Sequence, residues 1–315
     1  MEHLLAEEFE EASFFFKKCI DENPEDYPSL FNFLYCQEQT GQIEKAIACL
    51  NKILEHNPYC EVAWHQLGKI LIKSGKFKEA LSAFDFAIIS DDTFTGAYIE
   101  KGNLLESIGK TNEAIQNYEV AMNTTDPTSF IHKCIGRCHE NLGNIYLAKK
   151  FYLKSIQLEP SNENSWESLI LFFINQKKYK KAEYYLSRAL EINSDSTNLW
   201  KKSLELNALN GKQERVRISS NRLVELGNSK SDIFIHLIDF FIEKKVWVNA
   251  YEFAEEAVSS FPKNKNLALR LAGCYLNLSR IEEGLNLLNP SSLNASEKTS
   301  FIKLFPNYGK LISDM

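Results

Sequence analysis

Four zinc-type ligands fall close together: His132, Cys134, Cys138 and His139. Zinc takes thiolate and imidazole ligands in a tetrahedron. On a helix Cys134 and Cys138 share a face, while His132 and His139 point elsewhere. That spacing predicts ordinary helix packing and no metal site. His139-Glu140 opens like a zinc-protease helix, but Gly143 stands where the second histidine is needed. The sequence has no phosphate-binding glycine loop, no dinucleotide fingerprint and no nucleophile elbow. No catalytic residue and no cofactor is expected, and the chain reads as a non-enzyme. The densest basic run, Lys177-Lys178-Tyr179-Lys180-Lys181, reads as a solvated turn in preference to an anion or nucleic-acid contact.

The composition narrows the classes further. The chain has 315 residues, 44% of them apolar, enough for a large core. Charged residues make up 25%, so the chain is expected to fold. A net charge of -6 argues against nucleic acid as the partner, since phosphate contacts need a basic face. Glu7, Glu8, Glu10 and Glu11 interrupt the place where a secretory signal would need an apolar run. The longest apolar stretch, Leu169 to Ile174, is far short of the roughly 20 residues that span a bilayer. No membrane partner is expected, and the chain reads as soluble and cytoplasmic. Its seven cysteines are odd in number and irregular in spacing, which points to free, buried thiols.

The elements that position these side chains follow a 34-residue clock. Pro24, Pro58, Pro160 and Pro262 lie at multiples of 34 from one another. Ala12, Ala46, Ala80, Ala114, Ala148, Ala182 and Ala250 share one phase, with Val216 and Gly284 filling it elsewhere. Gly41, Gly75, Gly109, Gly143 and Gly211 keep another, and Trp64, Tyr98, Trp166, Trp200 and Phe234 a fourth. Four residue types agreeing on one period mark an array of repeats.

Residues 61–94 show what one unit contains. Trp64, Leu67, Gly68 and Leu71 follow a helical spacing. Ser74-Gly75-Lys76 breaks the helix, with Gly75 suited to a left-handed cap. Phe77, Ala80, Leu81, Phe84 and Ala87 form a second helical stripe. The unit is helix, tight turn, helix, loop, and no sheet is expected. The recurring alanine lets two helices cross closely. Gly68, Gly102 and Gly136 serve the same purpose in the first helix.

This pattern resembles the tetratricopeptide repeat family. The unit at 61–94 matches best, with Trp64, Leu67-Gly68, Leu71, Ala80, Phe84 and Ala87, although Asp92 replaces the closing proline. Residues 163–196 supply Trp166, Leu169, Phe173, Ala182 and Ala189, and residues 231–264 supply Phe234, Leu237, Phe241, Ala250, Ala257 and Pro262. The resemblance implies an all-α fold, a right-handed α-solenoid or superhelix of antiparallel helix pairs. It places a single solenoid over residues 1–290. A partial repeat at 1–26 is followed by repeats at 27–60, 61–94, 95–128, 129–162, 163–196, 197–230, 231–264 and 265–290. Residues 291–315 form a C-terminal cap or tail, with a short helix near Ser296 to Leu304. The chain opens in a second helix, around Leu4 to Glu22. The repeat at 197–230 departs from the pattern at Val216 and Ser220 and reads as a flexible joint.

In proteins of this family the first helix of each unit lines a concave face. The resemblance therefore implies a protein partner, held there as an extended peptide or helix. Reading inward residues by phase gives Tyr35, His65, Lys69, Asn103, Lys133 and Arg137 as the peptide-binding set. Glu100, Glu106 and Glu140 share that surface and oppose its cations. The carboxylate clamp of some family members is not matched, because Ser168 and Asn198 stand where it needs asparagine and lysine. The alternative is a self-associating scaffold, a homo-oligomer assembled through its terminal repeats.

Overall fold

The computed structural model describes residues 8–124, 128–288 and 293–310. Among them are eighteen α-helices, one short 3-10 turn at Pro306–Tyr308, and no strand. First helices of successive pairs are α2 (Tyr27–Gln39), α4 (Glu61–Lys73), α6 (Thr95–Ser107), α8 (Ser129–Asn141), α10 (Glu163–Asn175), α12 (Thr197–Leu209), α14 (Lys230–Glu243) and α16 (Lys265–Asn277). Second helices are α1 (Phe9–Glu22), α3 (Ile43–His56), α5 (Phe77–Ser90), α7 (Thr111–Thr124), α9 (Ile145–Leu158), α11 (Tyr179–Ile192), α13 (Gln213–Glu225), α15 (Trp247–Ser260) and α17 (Ile281–Leu288). A last helix, α18, spans Ala295–Leu304. The fold is an all-α solenoid. It divides into two compact units, one up to Phe172 and one from Phe173. The N-terminal helix expected from Leu4 is described only from Phe9, since Leu4–Glu7 lie outside the described residues.

The turns explain the glycine phase. Gly75 has φ of 72°, a left-handed conformation that side chains disfavour. Lys76 N–H then donates to the Leu71 carbonyl at 2.9 Å, and Gly75 N–H to Ile72 at 3.0 Å. These bonds satisfy two carbonyls that the helix end leaves open.

The alanine phase sits at the helix crossings. Ala46, Ala80, Ala114, Ala148, Ala182 and Ala250 are all fully buried. A second crossing pairs glycine with an aromatic ring. A Cβ on Gly68 would lie 2.5 Å from Phe84 Cε1, one on Gly102 2.7 Å from Tyr118, and one on Gly136 2.9 Å from Tyr152. Each ring is at most 2% exposed. At the corresponding places of later pairs the sequence reads Leu204 with Ser220 and Ile238 with Ala254. Bulk moves from the second helix to the first, which keeps the volume roughly constant.

The aromatic phase does more than fill space. Trp64, Trp166 and Trp200 each donate an indole N–H to the carbonyl six residues earlier, at 2.7–2.8 Å. The bond ties the loop before each first helix to that helix and satisfies the one polar atom of the ring.

The 197–230 pair departs through polar packing. Ser203 and Ser219 hydroxyls lie 2.9 Å apart, and Asn207 donates to Ser203. Buried Glu205 lies 3.1 Å from Lys202 Nζ and 2.9 Å from His236 Nε2. Burial alone would raise its pKa, but these partners outweigh burial and hold the carboxyl below its ordinary value.

The C-terminal segment closes the second unit. Asn294 and Glu297 form a reciprocal capping box at the start of α18. Phe301 is fully buried, and Phe305 stands over Gly273, where any side chain would meet its ring. Tyr308 donates its hydroxyl to the Leu276 carbonyl at 3.0 Å. Of the seven cysteines, six are buried as expected and all are free; Cys19 is exposed, because it faces outward from α1.

Candidate functional site

The expected site lies wholly in the first unit, on α2, α4, α6 and α8. Neighbouring first helices pack together, as α4 does with α6, and ion pairs tie them. Lys73 on α4 meets Glu38 on α2 at 2.6 Å. Arg137 on α8 grips Glu106 on α6 through two bonds, Nε to Oε1 at 2.6 Å and Nη2 to Oε2 at 2.7 Å. The offset is 31 residues, one repeat less one helical step, so the partners face each other across adjacent helices. The second unit uses the same offset. Arg270 forks onto Asp239 with two bonds of 2.7 Å, and His236 reaches Glu205.

Three of the six expected residues prove to be engaged within the fold. Arg137 is committed to Glu106, whose side chain is only 10% exposed. The paired carboxylate raises the Arg137 pKa above its ordinary value. Asn103 accepts a 2.7 Å bond from the Tyr118 hydroxyl, and the same hydroxyl lies 3.4 Å from Glu106. Asn141 also donates to Glu106. His65 is packed edge-on to Phe94, with ring centroids 5.2 Å apart, and lies close to Phe84. Burial, aided by the charge of Lys69, pushes its pKa down to about 4. Its Nε2 has no hydrogen-bond partner among the described residues. His65 is therefore a neutral wall residue rather than a cation.

The other three keep their outward reach. Tyr35 is 47% exposed and meets only the edge of Phe9, at 5.9 Å. Lys133 is half-buried and lies 5.3 Å from the Phe130 ring centroid. Lys69 is half-buried, one helical turn from His65. Neither Lys69 nor Lys133 has a carboxylate partner among the described residues.

Two contributors were not picked out beforehand. Glu106 was read only as a competing charge, yet it organises Arg137, Asn141 and Tyr118. The Tyr118 ring is fully buried, yet its hydroxyl reaches Asn103 and Glu106 on the first helix. The 31-residue offset between Glu106 and Arg137 is the signal that identifies the first of these. The histidine and cysteine cluster is dispersed into packing. His132 Nδ1 lies 3.0 Å from the Thr128 carbonyl, His139 stacks on Phe151 at 5.4 Å, and Arg137 contacts Cys134 Sγ. Burial raises the Cys138 thiol pKa to about 12.

Comparison with known proteins places this architecture. A family model described as tetratricopeptide repeat-like domain matches residues 5–144, and one for the tetratricopeptide repeat matches residues 135–162. Together they span half of the chain. A curated relative, the tetratricopeptide repeat-containing protein trd-1 of Caenorhabditis elegans, is 22% identical over 278 residues, covering 85% of this chain. The match takes up only 35% of that relative, so the chain spans about a third of its length. Among solved structures, a tetratricopeptide repeat protein from Parabacteroides merdae superposes with a TM-score of 0.54 at 16% identity. That match covers 78% of this chain and 97% of the other. The APC/C hetero-tetramer Cut9–Hcn1 gives a TM-score of 0.51 at 18% identity, over 84% of this chain and 52% of that one. At such identities the likeness concerns the fold. Repeats of this kind serve in general as scaffolds for protein interaction, and the family is typically non-catalytic. The period in the sequence, the crossing of each helix pair and the matching family models agree: the chain belongs to the tetratricopeptide repeat family.

Proposed function

We propose that this protein is a non-catalytic adaptor that holds a peptide or helix of another protein on the first-helix face of its first unit. The observation that carries this reading is the state of Lys69 and Lys133. Arg137 on the same face already has its carboxylate, whereas these two lysines stand half-buried without one. A partner's carboxylate or backbone carbonyl would complete them by charge-assisted hydrogen bonds. Tyr35 adds an exposed aromatic surface beside them, and His65 and Asn103 form the rigid, neutral wall between. Arg137 shapes the site through Glu106.

Charge reversal tests the reading without disturbing the internal ion pair. The full chain and its Lys69→Glu, Lys133→Glu variant are compared by affinity capture from the source cell, at equal helical circular dichroism. A protein captured by the parent and lost from the variant supports the face as the working site. Equal recovery by both sinks it.

A further inference from the structure

The basic run expected to be a solvated turn has a shape that suits a ligand. Lys177, Lys178, Lys180, Lys181 and Lys212 line one cavity of about 550 Å³ in the second unit. They come from the turn before α11, the first turn of α11 and the turn before α13. The cavity has a single carboxylate, Glu183, and it is already taken: Lys212 and Arg215 pair with it, and Asn210 donates to it at 3.0 Å. Lys177, Lys178, Lys180 and Lys181 have no carboxylate partner among the described residues, in a chain whose net charge is -6.

This charge is held against local preference. Lys180 and Lys181 sit in the first turn of α11, where the helix dipole disfavours cations. At that place α3, α5, α7 and α13 carry Glu44, Glu79, Glu113 and Glu214. Lys177 adopts φ of 54° at the turn position that Gly75 and Gly211 fill elsewhere and that Lys245 and Ser279 hold at similar φ, so the turn itself tolerates a lysine there.

We propose that this cavity binds a compact anion bearing several phosphates, of the inositol polyphosphate class, free or as a lipid headgroup. The lysines are point charges suited to phosphate, without the forks that recognise a carboxylate in two bonds. The cavity is of small-ligand size. The cations are gathered at one cavity and do not extend along the surface as the track of a nucleic-acid backbone requires.

The test is calorimetric titration of the full chain with inositol hexakisphosphate, beside the Lys178→Glu, Lys181→Glu variant at unchanged circular dichroism. The proposal predicts one-site binding that weakens at least tenfold in the variant and declines with added salt. Co-sedimentation with vesicles containing phosphatidylinositol 4,5-bisphosphate separates the sources. Vesicle binding lost in the variant assigns a lipid headgroup, and vesicle indifference with hexakisphosphate binding assigns the free ligand. No binding of hexakisphosphate, or equal binding by the variant, overturns the proposal. So does a single-stranded oligonucleotide that binds the patch and is not displaced by hexakisphosphate.

Discussion

Arg137 and Glu106 show how a residue can lie on a candidate binding face and still be structural. The pair is half in solvent on the arginine side and nearly dry on the glutamate side. Removing the arginine leaves a carboxylate that water reaches poorly. Arg137→Ala should cost about 1–3 kcal/mol, the usual range for stranding a buried polar partner. Adding Glu106→Gln should restore part of that loss. Urea unfolding of the two variants measures it, and an unchanged midpoint for Arg137→Ala would show the pair to be ornamental. His65 makes a second claim at this scale. Its folded pKa of about 4 lies below the ordinary 6.5. Between those values the unfolded chain takes up a proton that the folded chain refuses, so this residue lowers stability as pH falls through that window. Above pH 6.5 it contributes no pH dependence. The imidazole proton resonances of His65 should stay unshifted until below pH 5. A midpoint near 6.5 would place the ring in water instead of against Phe94.

Among the elements, each helix pair depends on a size match at its crossing. The Gly68 and Phe84 contact leaves no room for a methyl group. Gly68→Ala gains about 1 kcal/mol in helix propensity, yet overpacking costs typically 1–3 kcal/mol. The two nearly balance at one extreme, and the 2.5 Å approach puts this site at the other, so a net loss is expected. Phe84→Leu in the same chain should recover it. Thermal unfolding of the single and double variants checks both signs. A stabilised Gly68→Ala would mean that the helices are free to separate. The helix pairs were legible because packing of this kind repeats: alanine, glycine, proline and aromatic phases each record one recurring contact. The 197–230 pair was less legible. Val216 and Ser220 announced a departure, but hydrogen bonding among Ser203, Ser219 and Asn207 depends on side-chain placement that no period reports. The pair whose departures at Val216 and Ser220 suggested a flexible joint carries these buried bonds.

For the whole molecule, a 34-residue period was enough to give helix type, order and the solenoid, since every repeat solves the same burial problem. It gave less of the candidate site. The phase put Tyr35, Lys69 and Lys133 on the first-helix face, where Tyr35 is exposed and the two lysines are half-buried. It could not tell a free cation from a paired one, because pairing crosses between repeats at an offset of 31 rather than 34. Nor could it tell that Phe94 would bury His65. The division into two units near Phe172 has no counterpart in the repeat pattern, which runs through that point. The reading of this molecule as an adaptor is tested most directly by site-specific photo-crosslinking in the source cell. A photoreactive phenylalanine analogue is placed in the full chain at Lys69 or Lys133, at Tyr146, which is 78% exposed on a second helix, or at Phe14 on α1. Adducts with the same partner protein from positions 69 and 133, and none from 146, are the predicted result. Adducts confined to position 146, or to position 14 with a second copy of this chain, would contradict it.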